Sequence, residues 1–178
     1  MKYIFFSCVF LCLLNSCSNP EYKLKRMIGS SFEFPEDKMF QWNPDTMLMR
    51  YSYNTAKYKL IVYADSSECS QCYLTHLEHW NKYVTIEQDS KGKLLCVFII
   101  EGKKEEIPIV ASMTNLKHPL FFDEDFSLRH TNPQIPQENM FHVFLVDSED
   151  KIKFVGNPLR NEKIEEILDS IIKKDVIA

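Results

Sequence analysis

The sequence has few glycines, no excess of positive charge and, near its start, an apolar run too short to cross a membrane. Only four of its 178 residues are glycine, and the formal net charge is -4. Proteins that bind nucleic acid concentrate Lys and Arg, so this composition gives no electrostatic reason to expect such a partner. The run from Tyr3 to Leu14 falls short of the roughly 20 residues that a membrane-spanning helix needs.

That run instead fits the apolar region of a secretory signal, preceded by Lys2 and followed by small residues. The segment Leu14-Asn15-Ser16-Cys17 resembles a bacterial lipobox, which implies that lipid is attached to Cys17 once the signal is removed. An ordinary signal with a coincidental cysteine is the alternative. We therefore expect a signal peptide over residues 1–17, a tether over 18–30 and one domain over 31–178. The expected location is the periplasmic side of the cell envelope, with the outer membrane slightly preferred.

The cysteine count changes once the signal is removed. Of six cysteines, Cys8 and Cys12 lie within the signal and Cys17 would carry lipid. Cys69, Cys72 and Cys96 remain, and an odd number with one close pair does not describe a disulfide-rich scaffold. The pattern predicts one local dithiol and one further thiol. Cys96 stands inside the apolar run LLCVFII and is interpreted as a buried core residue.

The domain alternates between strand and helix patterns, which predicts an α/β fold. Two short apolar runs, KLIVYA (59–64) and LLCVFII (94–100), are typical of strands buried on both faces. Between them, apolar residues recur at helical spacing. The segments VFLVD (143–147) and IKFV (152–155) predict a hairpin. A last helix, with Asn161 as its cap, would present one apolar face made of Ile164, Ile167, Leu168, Ile171 and Ile172.

This order resembles the thioredoxin fold, and specifically the membrane-anchored bacterial thioredoxin-like proteins of the TlpA type. The stretch FLVDSEDKIKFVGNP, Phe144 to Pro158, is similar to the hairpin of that group, and the Cys-x-x-Cys precedes it at the matching separation. A thiol at a helix N-terminus faces unpaired N–H groups, which favour the thiolate. The resemblance implies a central mixed β-sheet flanked by helices, with Cys69 as the attacking thiol and Cys72 as the resolving thiol. It implies thiols and disulfides of envelope proteins and a redox partner as partners, and no cofactor.

Four residues depart from the family pattern or modify it. Glu68 directly precedes Cys69, and its carboxylate should oppose thiolate formation. Tyr63 stands where thioredoxins carry a buried acidic residue. Phe141 takes the place of the family's cis-proline, which weakens the expectation for substrate recognition. His142 follows it and is expected at the start of a strand facing the dithiol, either assisting proton transfer or acting as an ordinary, partly buried polar residue.

Two other functions stay open at this point. A diverged thioredoxin-fold lipoprotein could serve as a binding or assembly module with little turnover. A copper or zinc carrier could use Cys69, Cys72 and His76, which share one helical face, but a structural zinc site needs a fourth ligand that the sequence does not offer. No metal site is predicted. The acidic run Asp123, Glu124 and Asp125 is expected to be a solvated loop.

Overall fold

A mixed β-sheet forms the centre of the computed structural model, which describes residues 19–43, 53–65, 77–106, 108–109, 112, 116 and 118–177. The strand order is β1-β4-β3-β2-β5-β6. Strands β2, β3 and β4 are parallel, whereas β1 pairs antiparallel with β4, and β5 pairs antiparallel with both β2 and β6. The six strands are β1 Phe40–Trp42, β2 Tyr58–Ala64, β3 Leu94–Glu101, β4 Leu120–Asp123, β5 Val143–Val146 and β6 Ile152–Val155.

Helices cover both faces of this sheet. Within the described ranges they are α1 Pro20–Met27, α2 Asn81–Asp89, α3 Ser127–Thr131 and α4 Glu162–Ile172. A 3-10 turn over Leu77–Trp80 leads into α2. The predicted cap of α4 is confirmed, because the Asn161 side chain accepts hydrogen bonds from the N–H groups of Lys163 and Ile164. None of the described helices has the length and hydropathy needed to span a membrane.

Side chains that alternate along the strands build two separate core layers. Leu60, Val62 and Ala64 of β2 join a layer that contains residues of α2 and α4. Ile61 and Tyr63, from the same strand, point into the opposite layer, which includes Met27 of α1 and Leu128 of α3. This two-sided burial explains why β2 and β3 read as almost unbroken apolar runs.

The predicted strands and hairpin are confirmed, and Cys96 is fully buried as expected. The predicted apolar face of α4 is wrong at one position, since Ile167 is 54% exposed while Leu168 is fully buried. Residue 167 lies at the margin of the helical stripe centred on Leu168, beyond the reach of the sheet. The pattern also missed β1, whose three residues are too few to show a period.

The stretch expected to be a tether contains a helix that packs on the domain. Met27 of α1 is fully buried. The N–H of Gly29 donates to the carbonyl oxygen of Ile152 at 2.8 Å, and Lys23 forms an ion pair with Glu138. Gly29 has a φ of 80°, a backbone conformation that glycine adopts without strain and that turns the chain away from α1. Residues 20–30 are therefore part of the folded unit.

The two neighbouring residues of α4 provide a direct test of this packing. We expect Leu168→Ala to lower the free energy of unfolding by about 2 to 5 kcal/mol, because it leaves a cavity in a closed core layer. Ile167→Ala, the matched control, should change it by less than about 0.5 kcal/mol. Urea unfolding followed by circular dichroism measures both values. Equal losses for the two variants would contradict the burial described above.

Candidate functional site

Three carboxylates gather at the carboxyl ends of the three parallel strands. Asp65 directly follows β2, Glu101 ends β3 and Asp123 ends β4. Glu101 and Asp123 are register partners in the β3–β4 pair. All three residues are buried, with exposures of 5%, 6% and 0%. Carboxyl ends of parallel strands meet at one edge of a sheet, where α/β proteins usually place their ligands and reactive groups.

Arg129 of α3 holds two of these carboxylates together. Its Nη2 donates to Asp65 Oδ2 at 2.9 Å and to Glu101 Oε2 at 3.2 Å, and its Nε lies 3.2 Å from Glu101 Oε1. The carboxylate side chains are 2% exposed, whereas the Arg129 side chain is 27% exposed. A single guanidinium at the surface therefore stabilises two buried negative groups from two adjacent strands.

Tyr63 is the fourth member of this cluster. Its side chain is almost fully buried, and its hydroxyl donates to Glu101 Oε1 at 2.6 Å while accepting from Arg129 Nε at 2.8 Å. Burial, followed by the hydrogen bond to Glu101, raises the pKa of Tyr63 well above its ordinary value. The phenol therefore stays neutral at physiological pH. Tyr63 is therefore a neutral hydrogen-bond donor that binds an acid from the neighbouring strand.

Asp123 fixes the helix that carries Arg129. Its Oδ1 accepts from the N–H of Ser127 at 2.7 Å and its Oδ2 accepts from the N–H of Leu128 at 2.9 Å. The expectation that residues 123–125 form a solvated loop is therefore wrong for Asp123, although Glu124 and Asp125 are exposed. The carboxylate caps the first turn of α3, where N–H groups have no partner within the helix.

His142 lies beside this cluster at the start of β5. Its ring is 3% exposed and its centroid lies 4.9 Å from that of Tyr63. The Nε2 atom is 3.0 Å from the carbonyl oxygen of Pro136, which can only accept, so Nε2 carries a proton and donates it. The Nδ1 atom is 3.9 Å from Asp65 Oδ2. The backbone carbonyl of His142 accepts from the N–H of Tyr63 at 2.9 Å, which ties β5 to β2 here.

Phe141, the residue at the expected cis-proline position, is buried next to this site. It ends the 3-10 turn Asn139–Phe141 and is 3% exposed. Its side chain belongs to the core layer that also contains Tyr63 and Leu128. The proposed correspondence with the family's proline stays a prediction.

Four residues singled out from the sequence lie outside the described residues: Cys69 and Cys72 of the predicted dithiol, Glu68 and the predicted lipid attachment site Cys17. Asp65 is the last described residue before the segment that carries both cysteines, and Cys69 follows it by four residues in the chain.

Asp65, Glu101 and Arg129 were not recognised as site residues from the sequence. Asp65 and Glu101 each follow a buried apolar run at the end of a parallel strand, and that placement is a usable signal. Arg129 offers no such signal, since it lies in a five-residue helix that has no clear period.

Glu87 and His118 form a second polar cluster on the other face of the sheet, and Glu87 contacts Cys96. Glu87 Oε2 accepts from the backbone N–H of Cys96 at 3.1 Å and lies 2.9 Å from His118 Nε2. Burial, followed by the charge of Glu87, raises the pKa of the Cys96 thiol well above its ordinary value. Among the described residues, no set of three or more His, Cys, Asp or Glu side chains is placed to hold a metal ion. Its burial and its raised pKa together mark Cys96 as an unreactive structural thiol.

Comparison with known proteins supports the fold and does not reach a family. No protein-family model matches the chain, and no curated protein is similar to it. Among solved structures, the thioredoxin domain of a thiol-disulfide oxidoreductase from Bacteroides vulgatus is 16% identical, with a TM-score of 0.55, covering 82% of this chain and 97% of that one. A protein from Chlorobium tepidum assigned as the thiol:disulfide interchange protein DsbE is 17% identical, with a TM-score of 0.51 and coverage of 80% and 96%.

A thioredoxin-like protein solved in its oxidised form is also similar, at 17% identity and a TM-score of 0.50, with coverage of 81% of this chain and 97% of that one. The predicted α/β fold class is confirmed. The chain has a thioredoxin-like fold, with a mixed six-stranded sheet flanked by helices.

The coupling between Arg129 and Glu101 can be measured by a double-mutant cycle. We expect Arg129→Met to cost about 3 kcal/mol of unfolding free energy, the lower end for a broken buried ion pair, because the guanidinium is partly exposed. The double variant, Arg129→Met with Glu101→Gln, should lose less unfolding free energy than the sum of the two single losses, by about 1 kcal/mol or more. Urea unfolding provides all four values.

Lys82→Met is the matched control, because Lys82 also contacts two carboxylates, Glu165 and Asp169, but at the exposed surface. Its loss should stay below about 1 kcal/mol. Additive effects of Arg129→Met and Glu101→Gln would show that the two side chains are not energetically coupled.

Cys96 should be inert in the folded protein. In a chain starting at residue 18 and carrying Cys69→Ser and Cys72→Ser, we expect no reaction with a thiol reagent under native conditions, because the one remaining thiol is buried and its pKa is raised. The same sample in concentrated guanidinium chloride should release one equivalent. Rapid native labelling would contradict the burial of this side chain.

Proposed function

We propose that this protein is an exported, lipid-anchored thiol-disulfide oxidoreductase of the reductase or isomerase type that uses Cys69 and Cys72. The observation that supports this most strongly is chain order within a thioredoxin-like fold. The Cys-x-x-Cys falls between β2, a strand paired on both sides at the centre of the sheet, and the 3-10 turn that leads into α2. Two of the similar structures are described as thiol-disulfide exchange proteins, which agrees with the proposal.

The reaction needs two thiols and no cofactor. The Cys69 thiolate attacks one sulfur of a substrate disulfide, and the other substrate sulfur leaves as a thiolate and takes up a proton. Cys72 then loses its proton and attacks the Cys69 sulfur, which releases the second substrate thiol and leaves a Cys69–Cys72 disulfide. Two electrons pass to the substrate. A dithiol redox partner must supply two further electrons to reduce the Cys69–Cys72 disulfide for the next cycle.

The residues around the dithiol favour reduction or isomerisation over strong oxidation. Glu68 adjoins Cys69, and a nearby carboxylate disfavours the very low thiol pKa of a strong oxidant. Tyr63 stays neutral and so cannot accept the proton of the resolving thiol. Asp65 and Glu101 are the carboxylates that Arg129 holds at the end of the sheet from which the cysteine segment continues in the chain, and His142 lies beside them.

The second candidate is a thioredoxin-fold lipoprotein that binds partners without turnover. The feature that favours it is Phe141 at the expected cis-proline position. A metal carrier using the same two cysteines is a third and weaker candidate, and metal analysis of the purified protein decides it. Neither alternative requires the dithiol to exchange with other disulfides.

Equilibration with glutathione tests the oxidoreductase directly. We expect the Cys69–Cys72 couple in a chain starting at residue 18 to have a reduction potential within the range of exchange proteins, roughly -120 to -270 mV. A Cys72→Ser variant should accumulate a mixed disulfide with a peptide substrate, because the resolving thiol is missing. Cys69→Ser should not accumulate it, and the Cys96→Ala control should keep full activity. Unchanged disulfide reduction in Cys69→Ser would exclude this function.

Lipid attachment is tested separately in cells. The full chain, expressed in a bacterium that processes lipoproteins, should incorporate labelled palmitate and lose its first 16 residues. Cys17→Ser should abolish the labelling, whereas Cys12→Ser should keep it. Labelling that persists in Cys17→Ser would disprove the anchor at this residue.

A further inference from the structure

A cleft of about 420 Å³ opens at the surface between α1 and the segment 133–138, which leads towards β5. Lys23 and Arg26 of α1 line one wall, and residues of the segment 133–138 line the other. Because Lys23 and Arg26 are three positions apart, they share one side of the helix. The volume lies within the range of about 300 to 1,000 Å³ that is usual for ligand sites.

Contacts behind both walls fix the shape of this cleft. The buried Asn132 side chain accepts from the N–H of Glu33 at 2.9 Å and donates to the Glu33 carbonyl oxygen at 2.8 Å. The carbonyl oxygen of Pro136 accepts from His142 Nε2 at 3.0 Å. On the other side, Met27 is fully buried and holds α1 against the domain. The cleft is therefore formed before a ligand arrives, which lowers the entropic cost of binding.

Arg26 gives the cleft a positive charge that is not matched within the protein. Its guanidinium forms no ion pair or hydrogen bond with another described residue. Lys23, in contrast, forms an ion pair with Glu138 on the opposite wall. The lining thus carries two cations against one anion, a net charge of +1, in a chain whose formal charge is -4. A guanidinium binds a carboxylate through two parallel hydrogen bonds.

The wall opposite Arg26 offers groups that suit a polypeptide. Pro133 and Pro136 contribute apolar rings to the lining. The side-chain amide of Gln137 has a donor and an acceptor, like a peptide group, and binds no other residue in the described part of the chain. Arg26, Pro133 and Gln137 are exposed, so the cleft is open to solvent and can accept a segment whose chain continues beyond it.

We propose that this cleft binds an extended polypeptide segment that carries an acidic side chain. The carboxylate pairs with Arg26, the neighbouring side chains of the segment contact the two prolines, and a peptide group pairs with the Gln137 amide. The cleft adjoins the carboxylate cluster through the hydrogen bond between Pro136 and His142. This binding site requires neither cysteine of the dithiol, so it is independent of the proposed redox function.

An NMR titration of the chain starting at residue 18 with a capped pentapeptide, acetyl-Gly-Val-Glu-Val-Gly-amide, tests the site. We expect saturable binding with a Kd below about 1 mM, and the largest shifts at the side-chain N–H signals of Arg26 and Gln137. The matched peptide with Gln in place of Glu should bind about tenfold more weakly, because it lacks the charge that Arg26 binds. Acetyl-Glu-amide should also bind more weakly, since a single residue leaves the prolines and Gln137 uncovered.

Three variants separate the charge of the cleft from that of the helix. Arg26→Gln should raise the Kd of the Glu peptide by about tenfold. Lys25→Gln is the matched control, because it removes the same charge from the same helix but lies outside the lining, and it should change the Kd by less than about twofold. Glu138→Gln should lower the Kd by about two- to fivefold, because it removes an anion from the cleft and frees Lys23. Circular dichroism verifies that each variant is folded.

Equal Kd values for the Glu and Gln peptides, equal effects of Arg26→Gln and Lys25→Gln, or no saturation would overturn the proposal. Equal affinity for acetyl-Glu-amide would exclude a polypeptide as the specific ligand. A chain carrying Cys69→Ser and Cys72→Ser should bind the Glu peptide with unchanged Kd. Failure of the redox function and failure of this site are therefore distinguishable.

Discussion

The contact between Arg129 and the two carboxylates of Asp65 and Glu101 determines how the functional edge of this sheet is built. Two ionised carboxylates at the ends of adjacent parallel strands repel each other, and burial removes the water that would otherwise solvate them. One guanidinium from α3 removes that conflict. Asp123, at the end of β4, caps α3. It therefore fixes the helix that supplies Arg129 to the ends of β2 and β3.

The hydrogen bonds of Tyr63 explain how a neutral residue fits into this cluster of charged groups. In the family pattern the position belongs to a buried acid, and its loss in the sequence suggests a weakened site. In the structure the phenol donates to Glu101 and accepts from Arg129, so Tyr63 is a bound member of the carboxylate cluster. The edge of the sheet remains rich in carboxylates, although Tyr63 itself is neutral.

The layout of the fold could be predicted from the sequence, whereas the contacts of the site could not. Continuous apolar runs specify β2 and β3, because burial on both faces leaves little ambiguity. Two apolar segments separated by the polar Ser148–Lys151 turn specify the hairpin. Short elements escape this reasoning. Strand β1 and helix α3 have three and five residues, which is less than the pattern needs to show a period. Arg129 enters the site from such an element, so its partners depend on tertiary packing that no local pattern encodes.

The direction of α1 determines how this helix supports the sheet. Lys23, in the first half of the helix, contacts Glu138, which lies four residues before His142 and so near the edge where the cysteine segment leaves β2. Gly29, just past the end of the helix, contacts Ile152 at the far end of the sheet, where β6 begins. Helix α1 therefore runs along the strands, from the end of the sheet where Asp65 follows β2 to the end where β6 begins, and it braces the domain over the length of the sheet.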